Sequence, residues 1–158
     1  MEEDSFVFPG EEGEEGIGKT AVDNLSGIKY FRYAYNGSIG GDNFYYELNR
    51  TEGGAVFAYW SMLHPERDRM ETPVGEEILD RVNGIYLSCR LAEWDGYSKY
   101  NTCVFDGSGF MLSIVFNDGA SMRADGTNAF PKGYRGFIEK LDALLEPISE
   151  ELLNKPTL

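Results

Sequence analysis

The pattern of hydrophobic positions is clearest between Gly109 and Leu145, where the period of a strand changes to the period of a helix. Large apolar side chains occupy every second position from Phe110 to Phe116, and a second alternating run follows from Ala120 to Ala124. A period of two predicts strands with one buried face. After Pro131 the apolar positions recur at helical spacing, which predicts an amphipathic helix that covers the hairpin.

The parity of this hairpin selects its turn. A two-residue loop at Asp118 and Gly119 would place the apolar sets of the two strands on opposite faces. A three-residue loop, Asn117–Gly119, instead pairs Ile114 with Met122 and keeps the apolar sets on one face. We therefore predict a type I turn with a G1 bulge, in which Gly119 adopts a positive φ.

Three more strands are predicted before the hairpin, over Ile28–Asn36, Phe44–Arg50 and Ala55–Met62. Their short connections favour an antiparallel meander. The charged stretch from His64 to Glu71 is predicted to be a loop.

A first helix is predicted after that loop. Thr72 has a side chain typical of an N-cap, and Pro73 suits the first helical position. Apolar residues at helical spacing predict a helix over Pro73–Ala92, which the turn at Trp94–Gly96 ends. An irregular connection is expected over Ser98–Ser108.

The predicted order of elements, β-β-β-α-β-β-α, indicates the α+β class. We expect an antiparallel sheet of about five strands with two helices packed on one face; the alternative is a sheet split into three-stranded and two-stranded parts. Residues 1–25 are predicted to be a flexible acidic tail rich in Gly and Glu, residues 26–148 a single domain, and residues 149–158 a short extension. Pro147 is expected to end or kink the last helix.

The charge of the chain changes the range of partners to consider. The formal net charge is −13, and residues 1–16 hold seven acids and no base. Direct nucleic-acid binding is disfavoured, because affinity for phosphate comes mainly from Lys and Arg.

No apolar run in the sequence has the roughly 18 residues of a membrane span. A cytoplasmic location is expected if Met1 is the native start, and an exported or lipid-anchored one if a leader was removed.

The sequence contains only incomplete matches to motifs that bind cofactors or metals. Gly13–Thr20 fits the Walker A pattern but lacks the strand and the helix that a phosphate loop needs, and Asp106–Gly109 lacks the acids of a Ca²⁺ loop. The single histidine, His64, has no second His for a metal pair. We therefore expect no cofactor and no metal ligand. Free thiols at Cys89 and Cys103 are favoured over a disulfide.

Candidate ligand-binding residues lie on the meander and at the end of the first helix. Tyr33, Tyr35 and Tyr45 belong to an aromatic-rich meander that could bind sugar or an extended peptide, and the competing interpretation is core and cross-strand pairing. Trp94 and Asp95 are the other candidates. Their structural interpretation is a Trp that closes the core edge and an Asp that accepts hydrogen bonds from nearby amides.

The function predicted from these observations is a non-catalytic module that binds a protein or a glycan, because no Ser-His-Asp set is apparent. One alternative is an acidic inhibitor that imitates nucleic acid, which requires acids outside the tail to share one surface. Another alternative is a hydrolase with paired carboxylates, Asp95 with Asp106 or Asp125. The acids named for the inhibitor are Asp42, Glu47, Glu52, Glu66, Asp68 and Glu71.

Three segments carry a resemblance: Trp94–Tyr97 (WDGY), Asn117–Gly126 (NDGASMRADG) and Asn128–Tyr134 (NAFPKGY). In these motifs the chain, over roughly Ile28–Pro147, resembles an uncharacterised domain family of Gram-positive, gut-type bacteria. The resemblance implies that some members are exported or lipid-anchored behind an acidic, Gly-rich spacer. It implies no catalytic or binding residues.

Overall fold

Alternating apolar residues build one seven-stranded sheet in this computed structural model, which describes residues 24–37, 42–101 and 107–155. The sheet order is β4-β3-β2-β1-β6-β7-β5, and all neighbours are antiparallel except β5 and β7. The α+β class is confirmed, but the prediction of about five strands was too low. The strands are β1 (Ile28–Asn36), β2 (Asn43–Thr51), β3 (Gly54–Ser61), β4 (Met70–Val74), β5 (Ser98–Tyr100), β6 (Gly109–Phe116) and β7 (Ser121–Thr127), and the helices are α1 (Glu76–Ser88) and α2 (Tyr134–Leu153).

Strand β4 replaces the predicted start of the first helix. Thr72 pairs with Phe57 of β3, so it is not an N-cap, and α1 begins only at Glu76. Pro73 is tolerated because β4 is an edge strand, where a missing N–H need not remove a ladder hydrogen bond. Pairing with β3 therefore overrides the local capping signal. The predicted N-cap was wrong, and the predicted loop, His64–Glu71, was too long only by Met70 and Glu71, which belong to β4.

The predicted C-terminal end of the first helix was also wrong. Helix α1 ends at Ser88, and Arg90 adopts a positive φ of 56° that breaks the helical path. A separate 3-10 turn, Leu91–Trp94, follows and buries Leu91 and Trp94. Part of the connection predicted to be irregular forms β5, which pairs in parallel with β7.

The hairpin between β6 and β7 has the predicted register. Ile114 pairs with Met122, and the amide of Phe116 donates to the carbonyl of Ala120 at 2.8 Å across the three-residue loop. Gly119 has a φ of +92°, in the region that a G1 bulge requires. The turn prediction is confirmed, because the apolar sets of the two strands permit only one register.

Helix α2 continues through Pro147 to Leu153, so the proline does not end it. The guanidinium of Arg67 donates to the carbonyls of Leu153 at 2.9 Å and Lys155 at 2.7 Å. A cation that binds the last carbonyls of a helix complements its dipole. Neither helix in the described ranges has both the length and the apolar character needed to cross a bilayer.

The core lies between the sheet and the two helices. Its centre is aromatic: Trp94 stacks on Tyr134 at 6.1 Å and meets Phe137 edge-on at 5.3 Å. The hydroxyls of Tyr33 and Tyr134 lie 2.5 Å apart and satisfy each other inside the core. Strand residues that face the helices alternate with residues on the other face of the sheet, so only one face is covered by helix.

Two glycines test this packing in opposite directions. A Cβ at Gly126 would lie 2.0 Å from the carbonyl oxygen of Ala129, whereas nothing lies within 4 Å of a Cβ at Gly84, which is exposed on α1. We expect Gly126→Ala to lower the free energy of unfolding by about 1–3 kcal/mol through overpacking.

Gly84→Ala should instead raise the free energy of unfolding by about 0.5–1 kcal/mol. Urea unfolding measures both, and an unchanged value for Gly126→Ala would contradict the close approach.

Candidate functional site

The structure divides the five predicted site residues between the core, a turn and the uncovered face of the sheet. Tyr33 is 2% exposed and Trp94 is 4% exposed, and both belong to the aromatic core. Tyr35 is half-buried beside Phe44, with ring centroids 5.9 Å apart. Tyr33 also contacts Phe44 at 6.1 Å, so these two tyrosines share one neighbour.

The remaining two predicted residues lie apart from that pair. The carboxylate of Asp95 accepts a hydrogen bond from the amide of Arg123 at 3.2 Å, which joins the turn to β7. Tyr45 lies on the uncovered face, stacked on Trp60 at 6.0 Å, with the guanidinium of Arg32 4.4 Å from its ring centroid. The five residues therefore do not converge on one site.

A groove of about 290 Å³ lies between α2 and the helix-facing side of β2 and β3. Phe44, Tyr46 and Tyr59 form its aromatic wall. Their rings contact in sequence, with centroids 5.3 Å apart for Phe44 and Tyr46 and 6.0 Å apart for Tyr46 and Tyr59. Leu63, which is 61% exposed, lies at the rim just beyond β3.

The opposite wall of the groove is acidic. Asp142, Glu146 and Glu150 occupy three successive turns of α2, and Asp42 joins them from the residue before β2. Among the described residues that line this groove, none is a lysine or an arginine. Like charges four residues apart destabilise a helix by roughly 0.2–0.5 kcal/mol per pair. The acidic stripe is therefore not explained by the stability of α2.

The pKa of Asp142 is shifted from its ordinary value. Burial raises the pKa of its carboxyl, and the hydroxyl of Tyr46, which donates to it at 2.8 Å, only partly offsets that effect. Burial also raises the pKa of Tyr59, and the nearby carboxylates of Asp42, Glu146 and Asp142 add to that increase. The groove thus holds negative charge that no lysine or arginine among its described lining residues neutralises.

This combination of groups defines what the groove can bind. Aromatic faces attract organic cations through the ring quadrupole, and carboxylates form strong charge-assisted hydrogen bonds with ammonium and guanidinium groups. The groove can therefore hold an organic cation between the half-buried rings of Tyr59 or Phe44 and the carboxylates of α2. In the described ranges, no group of three or more His, Cys, Asp or Glu side chains is arranged to hold a metal ion.

The acidic wall of the groove could have been predicted from the spacing of three acidic residues in the sequence. Asp142, Glu146 and Glu150 are spaced by four, which places like charges on one face of a predicted helix. The aromatic wall could not be found in this way, because the register between β2 and β3 decides which tyrosines face α2.

The residues named for the two alternative functions are dispersed. Of the acids expected to imitate nucleic acid, Glu47 and Glu71 both bind Arg69, at 2.7 and 3.0 Å, on the uncovered face. Asp42 lines the groove on the other side of the sheet. For the hydrolase, Asp95 binds a backbone amide, and Asp125 accepts a long hydrogen bond of 3.4 Å from Ser98.

Several predictions concern residues outside the described ranges. The acidic tail up to residue 23, the Walker A match at Gly13–Thr20, Asp106 and Cys103 all lie there. Within the described ranges Cys89 is a free thiol just after α1.

Comparisons with known proteins add no family to this geometry. No protein-family model matches the chain, and no curated protein matches it. The function is therefore argued from the groove itself.

Asp142→Asn tests whether the groove is electrostatically uncompensated. Because the folded state raises the pKa of Asp142, the folded protein holds the proton more tightly than the unfolded chain, and stability falls as pH rises above the unfolded value of about 3.9. We expect Asp142→Asn to raise the free energy of unfolding at pH 7, with a gain that shrinks towards pH 4.

Urea unfolding at several pH values measures this gain. Glu151→Gln is the matched control, because it removes the same charge from an exposed position of α2 outside the groove lining. A lower stability of Asp142→Asn at pH 7 would show that the carboxylate already has a compensating partner.

Proposed function

We propose that this protein is a non-catalytic binding module whose groove takes an ammonium or guanidinium group from a basic protein partner. The observation that carries the proposal is the pairing of an acidic helix stripe with an aromatic strand wall, without a described lysine or arginine in the lining. Burial raises the pKa of Asp142, so a bound cation would relieve an electrostatic cost that the free protein bears.

The hydroxyl and imidazole groups near the groove favour binding over catalysis. Ser149 donates to the backbone carbonyl of Glu146 at 2.8 Å, and Ser61 donates to Asp42 at 3.0 Å. His64 faces Glu66, with 3.9 Å between its Nδ1 and the carboxylate. A nucleophile needs a base within hydrogen-bond reach, and these contacts pair neither serine with the imidazole.

The charge of the whole chain favours the same class of partner. A net charge of −13 attracts a basic protein over long distances and speeds its association. The hydroxyls of a neutral glycan could donate hydrogen bonds to the four carboxylates of the groove but would add no attraction between charges, whereas Lys and Arg side chains match both its charge and its aromatic wall. The partner is therefore proposed to present an exposed basic side chain or basic segment.

A tetralysine peptide is the simplest probe of this site. We expect ¹⁵N NMR shifts on titration to concentrate at the groove, around Leu63, Glu146 and Glu150. Asp142→Asn or Glu146→Gln should weaken binding by about tenfold, since a charge-assisted hydrogen bond is worth roughly 1.5–3 kcal/mol. Binding should also weaken as salt is added.

Glu151→Gln separates the groove from the general negative charge of the protein. It should change the Kd for tetralysine by less than about twofold, because Glu151 lies outside the groove lining and cannot contact a peptide bound there. Equal weakening by Glu151→Gln and Glu146→Gln, or shifts spread evenly over all acidic surfaces, would contradict a site in the groove.

A further inference from the structure

The face of the sheet opposite the helices, which we call the open face, has a charge order of its own. One cross-strand row runs over six strands, from β7 through β6, β1, β2 and β3 to β4. Its β7 half carries the arginines and its β4 half the glutamates, both of which bind Arg69 of the same chain, at 2.7 and 3.0 Å. In that order, the row consists of Arg123, Ser113, Arg32, Glu47, Ala58 and Glu71.

The neighbouring row on the open face is mainly apolar. Met111, Ala34, Tyr45 and Trp60 are cross-strand neighbours on β6, β1, β2 and β3. Met111 is 38% exposed, and Ala34, between Met111 and Tyr45, has the smallest side chain of the row. Asp125 continues this row on β7, and Arg69, which reaches Glu47 at 2.7 Å, adds a positive charge beside β4.

Consider a second copy of the chain related by a two-fold axis that runs parallel to the strands, between β1 and β2. Each row then faces the same row of the other copy in reverse order, and the two are complementary. Such an axis places β7 of one copy opposite β4 of the other and β1 opposite β2. Arg123 then faces Glu71 of the second copy, and Asp125 faces its Arg69. An axis perpendicular to the strands would instead place Arg123 against Arg123 and Glu71 against Glu71.

The apolar row fits under the same axis. In this arrangement Tyr45 of one copy lies opposite the small side chain of Ala34 in the other, and Met111 lies opposite Trp60. Contact between a Met sulfur and an aromatic ring is favourable. Charge and shape therefore select the same arrangement of two copies.

The area of the open face is sufficient for a specific interface. A third cross-strand row of the open face consists of Ser121, Val115, Tyr30, Asn49, Val56 and Pro73. Strands are about 4.8 Å apart and same-face residues about 6.7 Å apart along a strand, so six strands and three rows cover about 600 Å². Two copies would bury about 1,200 Å² in total, which is the lower limit of specific interfaces. Interfaces at this lower limit are typical of weak and transient association.

We propose that the open face is a symmetric interface with a second copy of this chain, in which the two sheets pack face to face with β7 over β4. The grooves of the two copies then lie on the outer sides of the dimer. This inference does not depend on what the grooves bind.

Sedimentation velocity of the full chain tests the proposal. We expect the mass to rise from 17.7 kDa towards about 35 kDa as the protein concentration rises from about 1 to 300 µM. A monomer over this whole range would overturn the proposal.

Charge reversal then tests the arrangement. Arg123→Glu alone and Glu71→Arg alone should each be monomeric, because each places like charges opposite one another in the dimer. An equimolar mixture of the two variants should associate again, since each reversed charge then meets its opposite. A mixture that stays monomeric would overturn the proposed pairing of β7 with β4.

Two controls accompany this test. Asp80→Arg changes the charge by the same amount as Glu71→Arg at an exposed position of α1, and it should remain dimeric. Circular dichroism should show that every variant is folded, because Arg123 and Glu71 are both exposed. Loss of the dimer in Asp80→Arg would show that net charge, and not the open face, controls association.

Discussion

The packing of α2 against the sheet is the contact on which both candidate surfaces depend. Tyr134, Phe137 and Leu141 of α2 are buried against strands whose apolar residues alternate with a period of two. Because these residues fix the rotation of α2, the acidic positions Asp142 and Glu146 are held beside the aromatic side of β2 and β3. The same alternation leaves the other face of the sheet without helices.

These two surfaces are chemically different, although they share β2 and β3. The groove has only acidic ionisable groups besides His64 and its tyrosines, so its charge is unbalanced. On the open face, Arg69 and Tyr30 hydrogen-bond Glu47, and these contacts keep the pKa of Glu47 below its usual value despite its burial. A balanced surface suits a second copy of the chain, and an unbalanced one suits a cation. A dimer would also present two grooves, which increases avidity for a partner with repeated basic groups.

The sequence predicted the structure correctly where the local pattern of apolar residues allowed only one arrangement of the backbone. The hairpin register followed from the parity of Ile114 and Met122, and the structure agrees. Thr72 misled us because its capping chemistry competes with pairing to Phe57, which is distant in the chain. The groove was missed for a similar reason, since Tyr46 and Asp142 meet only after the sheet and α2 have packed. In the motifs that carry the resemblance, Gly96, Gly119 and Gly133 all have positive φ, so these residues serve turns.

The pKa of Asp142, measured by ¹³C NMR of its carboxyl carbon, tests the central claim most directly. In the free protein we expect a pKa above the ordinary value of about 3.9, because burial disfavours the charged carboxylate. Saturation with tetralysine should lower it, since a bound ammonium group favours the charged form. A pKa at or below the ordinary value in the free protein would show that the groove has no uncompensated charge, which would contradict the account.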